Sequence, residues 1–114
     1  MSYLPAELRG PHARLFTETP EERFNRRMAV AALLRRRRRL AGLTFRQVAH
    51  AALMDASRIS RYEQGWQYPG PEAAERVLAA IERLEKEGAG DPEKAAAAKA
   101  EYEAADAEAA GSPR

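Results

Sequence analysis

The sequence predicts an all-α fold of four core helices, with an N-terminal arm before them and an added C-terminal helix after them. Three observations predict it. A long run behind Thr19 carries apolar residues at helical spacing, two short segments behind Thr44 and Asp55 each open on a capping residue, and a third stripe follows Gly70-Pro71. The chain has 114 residues and no cysteine, so disulfides and thiolate metal sites are excluded. Its longest apolar stretch, Met28 to Leu34, runs into five arginines and is no membrane span. A cytoplasmic location is the plain expectation.

Residues 1 to 19 hold Pro5, Gly10 and Pro11, which break any long helix, so they read as an arm anchored by Leu4, Leu8, Leu15 and Phe16. Thr19 caps the first long helix, Pro20 suits its first position and Glu22 completes a capping box. Phe24, Met28, Ala31, Leu34 and Ala41 form its stripe, and Gly42 ends it. The second helix, behind Thr44, turns Val48, Ala49 and Ala52 inward. The third, behind Asp55, does the same with Ile59 and Tyr62 and stops at Gly65. The fourth runs from Gly70 to about Glu87 with Ala74, Val77, Leu78, Ile81 and Leu84 on one side. This gives an arm over 1–19, a body over 20–88 and an Ala/Glu-rich tail over 89–114. The tail has high helix propensity but only Tyr102 as a large apolar group, so it reads as an appendage with little to dock.

Charge is uneven. Residues 1–88 hold 16 Lys and Arg against 11 Asp and Glu, a balance of +5, while residues 89–114 hold 3 against 6, a balance of −3. A basic body suits a polyanionic partner. Arg35 to Arg39 step right around a helix axis and cannot share a face. Apart from Arg38 they read as solvated. Trp66 and Tyr68 read as a hydrophobic latch onto the fourth helix. His12 and His50 lack companion ligands, so no metal site is expected. No nucleophile, base and acid arrangement or glycine-rich phosphate loop appears, so neither enzyme activity, a cofactor nor a small-molecule ligand is expected.

The informative stretch lies within residues 43 to 70. Two short capped helices joined by a tight turn are the requirement for laying one helix across a phosphate backbone and the next in a major groove. Gly42-Leu43-Thr44, then Val48-Ala49, then Asp55-Ala-Ser-Arg-Ile-Ser-Arg-Tyr-Glu-Gln-Gly65 resembles the lambda-repressor-like family of Cro, repressor and XRE-like helix-turn-helix proteins. The resemblance spans about residues 28 to 84. It implies an ion pair between Arg38 and Glu63, and a groove-facing set of Ala56, Ser57, Ser60 and Arg61 flanked by Arg58. Arg61 is the candidate for bidentate pairing with guanine. It also implies phosphate contacts from Thr44, Arg46, Gln64 and Gln67. Four positions depart from the family pattern: Leu53 stands where glycine is usual, Phe45 replaces a polar residue, and Ala56 and Ser57 stand where glutamine is common. The leading expectation is a sequence-specific repressor on double-stranded DNA, with a homodimer formed through the fourth helix. The alternatives are a protein-interaction module on the same fold and a weakly specific architectural DNA binder.

Overall fold

The structure is a computed structural model that describes residues 18–111; the expectations for the arm's Leu4, Leu8, Leu15 and Phe16, and for His12, lie outside them. Five helices follow in order: α1 Pro20–Leu40, α2 Phe45–Ala52, α3 Ala56–Glu63, α4 Gly70–Lys86 and α5 Pro92–Gly111. No strand is present among the described residues.

Local chemistry sets the helix starts. Thr19 Oγ1 accepts from the Glu22 N–H at 3.1 Å, and Glu22 Oε1 accepts from the Thr19 N–H at 3.2 Å. Thr44 and Gln47 repeat this at the start of α2, at 3.2 and 2.9 Å. Asp55 has the extended backbone of a cap, but its side chain makes no capping bond to α3, contrary to expectation.

The helix ends share one device. At α1, α3 and α4, the N–H of Gly42, Gly65 or Gly88 reaches back three residues, and the next N–H reaches back five, with each glycine at φ between 70 and 76°. The same bonds close α2, from Leu53 to His50 and from Met54 to Ala49, but here the left-handed residue is Leu53, at φ 59° and ψ 48°. It is the one non-glycine residue with positive φ among those described. Arg76 on α4 donates to Ala52 O at 2.6 Å and Arg83 to Ala51 O at 3.2 Å, covering the carbonyl end of α2 with positive charge.

The core is built from Leu34, Leu43, Val48, Ile59, Tyr62, Val77 and Ile81, all essentially buried. The α4 stripe faces this core, with Leu78 and Leu84 packed on its edge. Val77 and Ile81 are therefore covered by the chain's own α1–α3 side. Along the α1 stripe Ala31, Leu34 and Ala41 are buried, whereas Phe24 and Met28 are exposed, the Met28 sulfur lying against Gly65 just after α3.

The tail is the main correction. Far from an appendage, α5 packs along α1 and buries Ala98. Its entry is a backbone-to-backbone contact in which the Asp91 N–H donates to Gly42 O at 2.9 Å. A Cβ on Gly90 would collide with Ala41 O, so only glycine permits this approach. Gln47 Nε2 donates to Ala89 O at 3.0 Å, tying the same joint to α2. Among the described residues no helix is long and apolar enough to cross a membrane.

Candidate nucleic-acid interface

Helix α3 has two chemically distinct sides. Ile59, Tyr62 and Glu63 face inward and are buried. At 100° per residue, Ser57, Ser60, Arg61 and Gln64 fall together on the opposite side. Ser57, Arg61 and Gln64 are exposed and Ser60 is half-buried. Ala56, expected in this set, instead leans on the core edge, because it lies a step round the helix towards the inner side. Thr44 and Arg46 are exposed at the start of α2, and Gln67 in the loop after α3.

The outward side chains are held by one another. Arg61 Nε donates to Gln67 Oε1 at 3.1 Å, which aims the guanidinium while its terminal nitrogens make no other described bond. Gln64 Nε2 donates to Ser60 Oγ at 2.7 Å, and Arg58 Nε to the Tyr62 hydroxyl at 2.7 Å. The i, i+4 spacing of Ser60 with Gln64 and of Arg58 with Tyr62 was a readable sign of these pairs. Such links lower the entropy lost when a polar surface meets a partner.

Arg38 fixes the tilt of α3. Its Nε and Nη2 donate to the Glu63 carboxylate at 2.7 and 2.9 Å, a bidentate pair. The Glu63 side chain is 4% exposed and that of Arg38 13%. Arg38 Nη1 also donates to Leu43 O at 2.7 Å, and its guanidinium lies 4.2 Å from the centre of the Phe45 ring. One side chain thus joins α1, the α1–α2 turn, the first residue of α2 and the last residue of α3. Phe45, out of place as a phosphate contact, serves here as the plate on which that guanidinium rests.

Three more arginines of the run are engaged, contrary to the expectation of solvated side chains. Arg37 makes a bidentate pair with Glu85 of α4 at 2.6 and 3.1 Å. Arg39 makes one with Glu101 of α5 at 2.6 and 3.2 Å. Arg36 meets Asp106 at 2.9 Å. Hydrogen bonds from Arg37 and Arg39 hold the Glu85 and Glu101 carboxyls below the usual range. Successive residues on a helix point in successive directions, so each arginine finds a different partner.

Trp66 does not latch onto α4: it is 73% exposed. Tyr68 packs instead under Arg26 of α1, whose guanidinium is 4.9 Å from the ring centre. Arg27 Nε donates to Gly65 O at 2.6 Å. The turn at Gly65 directs the loop to α1 and leaves Trp66 outside, with Phe45, Gln64, Arg35 and Arg39 around a shallow groove. Among the described residues no cluster of His, Asp and Glu could hold a metal ion.

No curated protein and no solved structure gives a significant match to the chain. A family model described as a helix-turn-helix domain matches residues 29–89, which takes in the second half of α1 and all of α2, α3 and α4. With two short helices set by Arg38, a left-handed turn between them and a polar outer face on the second, the chain belongs to the helix-turn-helix domain family, in the Cro- and XRE-like class of DNA-binding regulators.

Proposed function

We propose that the protein is a sequence-specific transcriptional regulator that represses by occupying an operator in double-stranded DNA. The observation that carries this reading is the outer face of α3, where Arg61 stands exposed and braced by Gln67 beside Ser57, Ser60 and Gln64. A braced guanidinium offers two parallel donors, the geometry that matches the O6 and N7 edge of guanine. Thr44, Arg46 and Gln64 flank that face and suit backbone phosphates on either side of the groove. The architectural alternative loses support, because four of the five arginines in the run are engaged within the chain.

A protein-interaction role is favoured by one observation, the exposure of Trp66 and Leu53 on a small domain. Fluorescence anisotropy separates the two readings. Random duplex should bind at low salt and lose affinity steeply as salt rises, with a log–log slope of about −0.9 per phosphate contacted. Selection from a randomised duplex pool should then enrich one sequence. Absence of duplex binding at low salt would reject the DNA reading; binding without enrichment would reject sequence specificity and operator repression.

A further inference from the structure

The outer half of the contact between α5 and α1 rests on exposed ion pairs and one tyrosine ring. Ala98 is the buried residue of α5, and beyond it the helix holds α1 through Glu101, Tyr102 and Asp106. The Tyr102 ring lies between the guanidinium groups of Arg36 and Arg39, 4.8 and 5.4 Å from its centre, and its hydroxyl is 3.4 Å from Arg39 Nη1. The two carboxylates are each 60% exposed, so water and ions reach them freely. Arg39 lies on the border of two surfaces. One side meets α5; the other lines the groove that holds Arg35, Phe45, Gln64 and Trp66, next to the outer face of α3.

We infer that α5 is a displaceable acidic cover: Glu101 and Asp106 occupy Arg39 and Arg36, cations that the phosphate backbone of DNA seated on α3 takes over when it binds. This inference rests on the DNA-binding reading. A guanidinium fork accepts a carboxylate or a phosphate in the same bidentate geometry, so one can replace the other without rebuilding the site. Exposed ion pairs are weak and salt-screened, which lets a polyanion compete. Tyr102 keeps the two guanidinium groups apart and directed. The Asp91 to Gly42 backbone bond and the glycine contact at Gly90 keep the tail tethered when its far end lifts.

Full-length protein and E101Q/D106N are titrated with fluorescent random duplex across a salt series. E93Q/E103Q, which removes the same charge from exposed positions on the same helix, is the control. E101Q/D106N should bind several-fold more tightly than the control at low salt, with a slope steeper by about 0.9 to 1.8 for one or two added phosphate contacts. The gain should vanish when R36Q/R39Q is added. An equal gain in the control, or none in E101Q/D106N, overturns the cover while leaving the DNA reading intact. If neither the wild type nor E101Q/D106N binds duplex, both readings fail together.

Discussion

Replacing Leu53 by glycine should stabilise the protein. Leu53 holds φ 59° and ψ 48°, where its Cβ crowds the backbone. The left-handed conformation costs an L-residue about 1–2 kcal/mol. The side chain is 85% exposed, so removing it sacrifices little apolar burial. Against the relief stands the greater freedom of glycine in the unfolded chain, about 0.5–1 kcal/mol. The difference leaves Leu53→Gly more stable by about 0.5–1 kcal/mol, or about 2–8 °C in Tm for a domain of this size. Urea unfolding followed by far-UV circular dichroism measures it, and an unchanged m-value ensures that a shift in midpoint reports stability. Leu53→Ala serves as control, because alanine keeps the crowding while losing the same exposed side chain. A Leu53→Gly protein no more stable than wild type or Leu53→Ala would refute the claim that backbone conformation governs this position.

Three further outcomes are expected. Removing Arg38 or Glu63 alone should cost about 3–5 kcal/mol, since each leaves a buried charge unmatched, and a double-mutant cycle should show strongly non-additive losses. Arg61→Ala should cost about 1–3 kcal/mol on a selected duplex and relax preference at one base pair, whereas equal losses on random duplex would make Arg61 a phosphate contact. Because Arg39 depresses the Glu101 pKa in the folded protein, this pair contributes stability above the ordinary glutamate value of about 4.3 and loses it as pH falls through the lower folded value. Carboxyl NMR should place the Glu101 titration below that value in wild type and return it towards normal in Arg39→Gln.

Legibility in the sequence followed the range of the interaction. Thr19 with Glu22 and Thr44 with Gln47 act across one turn, and both helix starts could be read directly. The α4 stripe was equally plain as an apolar face, although its spacing alone did not tell burial in the core from pairing with a second helix. Leu53 was visible as a side chain in a glycine position. The docking of α5 was not, since apolar periodicity finds greasy contacts and this one is made of arginine forks and a glycine that lets two backbones touch. For the arginine run, helical geometry explained why the five could not act as one face, but the partners lie in elements far along the chain. Trp66 was misplaced because the direction of a loop side chain depends on the backbone at Gly65, which composition does not reveal. At the interface, residue types suggested the outer face of α3, while the bracing of Arg61 by Gln67 needed the loop's path.

The arginine run also imposes an order in time on the growing chain. Its pairs span 25 residues for Arg38, 48 for Arg37, 62 for Arg39 and 70 for Arg36. No pair can close before its acidic partner has been synthesised. Arg38 can therefore close first, when Glu63 emerges, and with it the tilt of α3; Arg37 follows with α4, and Arg39 and Arg36 wait for α5. At ~5–20 residues per second, roughly 2 to 9 s separate the first of these acids from the last. Through that interval the nascent helix-turn-helix stands beside the ribosome with Arg36 and Arg39 still without Glu101 and Asp106, and the most strongly basic form of the domain exists only while it is being made.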